Sequence, residues 1–395
     1  QVVMTPSLLG SAANRFSVKI LPSSPSSCFS PAHRRSFAQL RNTKALIQYA
    51  NRIPKAELHV HVEGTLYPSL LHRFANRNGI PTSALQHKDP QTEYEFEGYS
   101  GFIDLYSSNC QVLVNEPDFY ELTRDYFVRA RQQGIRHAEV FCDPQLHTRR
   151  GVPISTIING ICNAMDTAET EMGVSGKLIL CYFEDGGPHG HRRKGEMDPI
   201  EELRSVQEDP NIKKDRLAGI GGYSYDPNAP YKQLKPVYEY ARSVGLKTVV
   251  HAGEYGPASS VREAIKTLRV DRVDHGVRSA EDLTVLRLVE RTKTPLTVCP
   301  LSNVRLGFYE SLQKHPLRML MQGGCLLTLN SDDPAYIGAS LSDNFRSCIE
   351  QLHLSRGEIK TLAINSVDVS FASDARKEAI RQEIEKYDSS FNMNL

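Results

Sequence analysis

Leu246-Lys-Thr-Val-Val-His-Ala-Gly-Glu254 is a short apolar run that delivers a histidine and a carboxylate to its exit. Buried parallel strands run about 4–8 apolar residues, and in barrels of such strands the functional groups stand at the C-terminal ends, where the loops open. His251 and Glu254 hold that position. A lone His-x-x-Glu more often marks a satisfied polar turn. Three further stretches of similar build change that reading: Glu57-Leu-His-Val-His-Val-Glu63, Val273-Asp-His-Gly276 and Asn330-Ser-Asp-Asp-Pro334.

From Ala56 onward the same unit recurs, a strand-like run followed by a polar loop and then a segment of helical period. Eight strands are predicted, over 57–63, 135–143, 176–183, 217–223, 246–254, 271–276, 295–302 and 325–333. Apolar residues at helical spacing fill 118–131, 154–171, 231–244 and 260–268 between them. Strand then helix, repeated in this way, predicts an α/β fold of the TIM type, a closed (β/α)8 barrel. Pro81 to Cys110 interrupts the rhythm with five aromatic residues, Tyr94, Phe96, Tyr99, Phe102 and Tyr106, and is expected to be an insertion after strand 1 that lies over the barrel mouth. Glu184 to Met197 is a second irregular stretch. Segments 341–352, 356–365 and 374–386 read as extra C-terminal helices.

The bulk properties narrow the function. Eight of the 47 Lys and Arg residues fall in the first 56 positions, which hold no acid; that leaves 39 against 46 Asp and Glu in the body, a net of about −7. Such a body offers no electrostatic footprint for nucleic acid. Residues 1–45, rich in Ser, Ala, Pro and Arg, read as a disordered or transit-like extension, and 46–395 as the catalytic barrel. The eight cysteines form no Cys-x-x-Cys pair, and Cys142, Cys181, Cys299 and Cys325 sit in apolar runs, which suits a reducing compartment. No apolar run approaches the roughly 20 residues that span a bilayer. The expected location is cytoplasmic or nuclear, with organelle targeting by the basic N-terminal segment as the alternative.

Side chains alternate along a strand, so His59 and His61 share one face while Leu58, Val60 and Val62 take the other. Two imidazoles in a barrel lumen each need a partner, and a metal supplies both. His251 and Asp332, at the exits of strands five and eight, add a nitrogen and an oxygen donor. Such a set suits one Zn²⁺, which lowers the pKa of a bound water from 15.7 to about 7 and so makes a hydrolytic nucleophile. Glu254 is suited to donate a proton to the leaving part of a substrate, His275 to accept or orient a proton of the water, and Asp333 to accept a hydrogen bond from substrate.

Together His59-Val-His61, His251-Ala-Gly-Glu254, Asp274-His-Gly276 and Ser331-Asp-Asp-Pro334 resemble the adenosine and adenine deaminases of the amidohydrolase superfamily. The likeness runs from about Ile53 to about Phe371. The strings 138–145, 297–303 and 331–336 are most similar to the adenine deaminase branch. The resemblance implies zinc on His59, His61, His251 and Asp332, protonation of purine N1 by Glu254, assistance to the water by His275, and contact of Asp333 with N7. It also implies contact of Ser224 near N3. The implied reaction is hydrolytic deamination of a 6-aminopurine, adenine to hypoxanthine and ammonia, in purine salvage. Adenosine or an N6-substituted adenine is the alternative substrate, because Phe183-Glu-Asp-Gly-Gly187 and Gly222-Tyr-Ser-Tyr-Asp226 depart from that branch after strands three and four.

Rival chemistries lack their residues. A cytidine-deaminase-type site, suggested by His61-Val-Glu63 and His137-Ala-Glu139, requires a Pro-Cys-x-x-Cys pair that this chain lacks. A dinuclear site resembling the phosphotriesterases requires a bridging lysine at the end of strand four, and 218–225 contains none. Gly219-Ile-Gly-Gly222 fails the dinucleotide spacing. A catalytically silent barrel kept for binding or regulation ranks below an enzyme, since every ligand and proton-transfer position is filled.

Overall fold

In the computed structural model, residues 31–183, 197–224, 226–228 and 231–392 are described. Eight parallel strands follow one another in sheet order: β1 (Lys55–His61), β2 (Ile135–Cys142), β3 (Ser175–Phe183), β4 (Leu217–Tyr223), β5 (Lys247–Ala252), β6 (Arg272–His275), β7 (Leu296–Val298) and β8 (Leu327–Leu329). The ring closes through a parallel bridge between Val60 and Asp332. His61 N–H donates to the Asp332 carbonyl at 2.9 Å, and Asp332 N–H donates to that of His59 at 3.1 Å. Glu57 reinforces the seam by accepting from Ser331 Oγ at 2.6 Å, Ser331 N at 3.0 Å and Tyr126 OH at 2.7 Å. Closure therefore falls on the residues that flank the predicted ligands.

All eight expected strands are present, and the differences lie at their ends. β1 begins two residues early, and Glu63–Thr65 is a 3-10 turn instead of strand. β7 and β8 are only three residues long, and Pro300–Arg305 forms a helix where strand was expected. Proline explains the second case, since it cannot donate to a sheet ladder but is well suited to the first turn of a helix. Helices Glu116–Gln132, Ile154–Met172, Pro199–Glu208, Lys235–Ser243 and Leu283–Thr292 cover the outside of the ring. Ala258–Glu263 runs on into a π-helical turn at Ala264–Leu268.

Within 81–110 a helix forms over Gly98–Asn109, and its Tyr99, Phe102, Ile103 and Tyr106 line the pocket at the barrel mouth. Tyr99 reaches across to Tyr255 and Phe308, with ring centroids 4.8 and 5.5 Å apart. The insertion is thus fastened by aromatic contacts to the loops after β5 and β7. The C-terminal helices are Leu341–Leu352, Arg356–Asp368 and Asp374–Ser390, each opened by a serine cap, Ser340, Ser355 and Ser373. Such caps satisfy N–H groups that a helix start leaves open.

Contacts divide the chain into Gln1–Arg41 and Asn42–Leu395. The first described helix is Pro31–Arg52, so regular structure begins inside the stretch expected to be an extension; residues 1–30 lie outside the described residues. Ala45, Tyr49, Ala50 and Ile53 are buried, and Tyr49 OH donates to Asp388 Oδ1 at 2.7 Å. An apolar stripe at helical spacing therefore starts before residue 46. The stretch 184–196 and Tyr225 also lie outside the described residues. Among those described, no helix is long and apolar enough to cross a membrane.

Lys55 closes the floor of the barrel. Its buried ammonium donates to the carbonyls of Ala50, Ile53 and Gln133 at 2.9, 3.0 and 2.5 Å. Lys55→Met keeps the stem but strips three buried acceptors of a shared donor, at about 1–3 kcal/mol for each that finds no water. The expected result is a fall in unfolding free energy of about 3 kcal/mol in urea titration, with turnover per folded molecule retained.

Candidate active site

β1 projects His59 and His61 into the lumen, β5 brings His251, and Asp332 follows β8. Four potential metal-binding atoms, one from each of these residues, lie within 4.8 Å of one another. His61 Nε2 is 3.2 Å from His251 Nε2, and Asp332 Oδ1 is 3.2 Å from His59 Nε2 and 3.7 Å from His61 Nε2. Tetrahedral ligands about 2.1 Å from a common ion stand about 3.4 Å from one another. The spacings therefore fit a cation at their centre. His59 Nε2, a buried nitrogen with no hydrogen-bond partner, supports the same fit.

A supporting shell fixes how His59 presents itself. Thr297 Oγ1 donates to Asp274 Oδ1 at 2.8 Å, and its oxygen lies 3.0 Å from His59 Nδ1. With the hydroxyl proton committed to Asp274, the oxygen accepts from His59 Nδ1–H, and Nε2 keeps its lone pair for a metal. Asp274 Oδ2 also lies 3.8 Å from His251 Nδ1. Asp332 Oδ2 accepts from Ser302 Oγ at 2.6 Å, which leaves Oδ1 to face the imidazoles. Burial works against a charged His61, but Asp333, Asp143 and Asp332 outweigh it and push its pKa up to about 10. Binding of a cation would displace that proton, as metal–imidazole bonding requires.

Two site residues have left-handed backbones, His275 at φ 59° and Asp332 at φ 67°. For residues other than glycine this costs of order 1–3 kcal/mol, and such strain gathers at functional sites. Here it turns both side chains inward at strand exits. His275 Nδ1 lies 3.2 Å from Glu254 Oε1, and Nε2 lies 3.9 Å from Asp332 Oδ2. Burial is the main cause that lowers the His275 pKa to about 3, so the ring is neutral.

Glu254 stands just past β5. Burial first, then the charge of Asp332, holds its carboxyl well above the usual range and therefore protonated, although a hydrogen bond from Asn303 Nδ2 at 2.6 Å opposes the shift. Asp333 is raised in the same way, by burial and then by Asp332. The neutral Glu254 carboxylic acid is a proton donor in waiting.

The pocket beside these groups encloses about 670 Å³, open solvent included, and is lined by His61, His251, Glu254, His275, Asp332 and Asp333. All the residues predicted from sequence except His59 reach its wall; His59 is fully buried behind His61. Ser224 is at the rim, where its hydroxyl donates to the Asp226 carbonyl and accepts from Asp226 N–H, both at 3.1 Å.

Two functional neighbours were not singled out from the sequence. Asp143, at the exit of β2, also lines the pocket; its Oδ2 accepts from Tyr106 OH at 2.7 Å and lies 3.6 Å from His61 Nδ1. Its place after a strand is the signal that could have singled it out. Glu63 belongs to a separate buried cluster. Arg150 Nη2 donates to His147 Nδ1 at 2.8 Å, so His147 Nε2–H donates to Glu63 Oε1 at 2.8 Å, which also accepts from Asp143 N–H at 3.0 Å. That cluster holds the β2 exit in place.

Known proteins share this frame. The family model for adenosine deaminase matches residues 54–387. An adenine deaminase from Hahella chejuensis is 39% identical over 335 residues, covering 85% of this chain and 97% of its own. The crystal structure of an adenine deaminase from Arthrobacter aurescens superposes with a TM-score of 0.78 at 41% identity, over 85% of this chain and 99% of that one. An amidohydrolase from Burkholderia ambifaria, solved with bound zinc, shares the fold at 24% identity and a TM-score of 0.75, over 92% of this chain and 95% of its own.

Proposed function

The chain belongs to the adenosine deaminase family, and from that premise we propose that it is a metal-dependent hydrolase that deaminates adenine to hypoxanthine and ammonia. The observation that carries the reading is the convergence of His59, His61, His251 and Asp332 within 4.8 Å, beside a pocket walled by the acid Glu254. Three imidazoles and one carboxylate suit Zn²⁺, which when bound would make a water nucleophilic at neutral pH. A place in purine salvage goes with this activity. A cytoplasmic setting is supported by the seven described cysteines, all free.

The chain's own groups account for the remaining chemistry. Addition of water at the carbon that bears the amino group makes the adjacent ring nitrogen N1 basic, and the Glu254 carboxyl supplies its proton, so negative charge does not build on the ring. Neutral His275, between Glu254 and Asp332, orients the water and relays a proton from it. Once the amino nitrogen is protonated, ammonia leaves and the oxo group remains. Ser224 would meet the purine edge near N3, beside Tyr223.

Free adenine is favoured over a 9-substituted purine. Its imidazole ring carries an N–H, and two buried carboxylate oxygens of the pocket wall, Asp143 Oδ1 and Asp333 Oδ1, have no hydrogen-bond partner. A nucleoside has no such hydrogen to offer, and a buried acceptor left unpaired costs about 1–3 kcal/mol. The test compares kcat/KM for adenine, adenosine, AMP and N6-substituted adenines by ammonia release. Adenine is expected to lead, and a higher value for adenosine would overturn the free-base reading.

Gly64 offers a sharper check on Asp333. A Cβ at position 64 would overlap Asp333 Oδ1 and come within 2.7 Å of its Cα. Gly64→Ala therefore displaces Asp333 by up to about 1 Å, a misplacement that costs about 10²-fold. The expected outcome is that loss in kcat/KM with metal content unchanged.

A further inference from the structure

His315 lies outside the pocket wall, in the turn that follows the 3-10 helix Leu312–Lys314. It is buried, its pKa lowered to about 3 by desolvation, and so it carries one proton on one nitrogen. Leu317 N–H donates to His315 Nδ1 at 3.1 Å, which makes Nδ1 the acceptor and puts the proton on Nε2. Nε2 faces Asn303 Oδ1 at 3.1 Å. That bond decides which way the Asn303 carboxamide points, a choice only the hydrogen-bond network can make. With Oδ1 held by His315, Nδ2 is turned to Glu254 Oε1 at 2.6 Å and to His275 Nδ1 at 3.3 Å.

The Asn303 main chain is fixed as well. Its N–H donates to the Cys299 carbonyl at 3.0 Å, and its own carbonyl accepts from Phe308 and Tyr309 N–H at 3.0 and 3.2 Å. The Tyr309 ring packs edge-on against His315 with centroids 5.0 Å apart. An amide held at both ends in this way can donate in only one direction.

We infer that His315 is a positioning residue: through Asn303 it makes Glu254 Oε1 the accepting oxygen, so that the acid proton sits on Oε2. Four groups in a row, from Leu317 N–H to Glu254, thereby share one proton arrangement. The inference rests on the proposed deamination, in which Glu254 is the acid.

A double-mutant cycle on the full-length, metal-loaded protein tests it, with His315→Phe, Asn303→Ala and the pair assayed on adenine. His315→Phe keeps a ring against Tyr309 and removes both nitrogens. Each single variant should lose about 10–100-fold in kcat, the worth of a hydrogen bond to the carboxylate that forms as Glu254 gives up its proton, and the pair should lose no more than either alone. KM and metal content should stay near wild type, and the alkaline limb of the kcat/KM profile should move to higher pH, because a carboxylate that loses a donor holds its proton longer. His315→Gln, which keeps an N–H donor, should recover most of the loss, and it decides the matter if the Phe variant is insoluble. Additive losses, a loss confined to KM or metal, or a Gln variant as impaired as Asn303→Ala would overturn the inference. A wild-type protein inactive on every aminopurine would instead overturn the deaminase reading.

Discussion

Glu254→Gln is expected to lower kcat and kcat/KM together by about 10²–10⁴-fold, the usual worth of general-acid catalysis. The amide has nearly the shape of the acid. Its oxygen can still accept from Asn303 Nδ2, which stands 2.6 Å from Glu254 Oε1 in the native site. What it cannot do is release an acidic proton to the purine ring. Metal content should stay at the wild-type level, since Glu254 is outside the group of four donors that converge on a common point. The pH dependence has a definite sign. Burial and Asp332 raise the folded pKa of Glu254, and turnover carried by the acid form is present below that pKa and lost as pH rises through it. A Gln variant that kept most of its activity would move the acid role to another residue.

The histidine pair of β1 was legible because strand alternation has a period of two, and two imidazoles on one lumen face demand a shared partner. His251, Glu254 and His275 were legible for a related reason: parallel strands end where function begins. Asp332 and Asp333 were found although β8 is only three residues long, because the Asn-Ser-Asp-Asp-Pro stretch marks the exit whatever the length of the strand. Strand ends themselves were poorly marked, since the polar residues that leave a barrel strand continue its apolar run without a break in pattern.

Residues that act through space left no mark in the sequence. His315 stands 12 residues beyond Asn303 and meets it only because the chain folds back after the helix Pro300–Arg305. Tyr106 reaches Asp143 from an insertion whose aromatic residues show a mouth cover but not which of them touches a carboxylate. Ser224 is half-buried at the rim with its hydroxyl engaged by Asp226, a loop contact that no strand pattern encodes.

His59→Ala combined with His61→Ala should leave the protein folded, with less than a tenth of the wild-type metal and no measurable deamination. Tight metal binding needs at least three protein donors, and removing two leaves only His251 and Asp332. The fold should survive because both histidines stand in a lumen whose seam is closed by main-chain bonds between β1 and the β8 exit, and by Glu57, none of which needs an imidazole. Metal should also protect the native protein. A cation that binds only the folded state stabilises it by RT ln(1 + [L]/Kd), about 2.7 kcal/mol at a hundredfold excess over Kd. Chelation should therefore lower the unfolding midpoint of the wild type and leave that of the double variant unmoved. One metal per wild-type chain is the expected stoichiometry, since among the described residues only His59, His61, His251 and Asp332 bring four donors together. Two metals per chain, or an undiminished content in the double variant, would refute the assignment of these four residues.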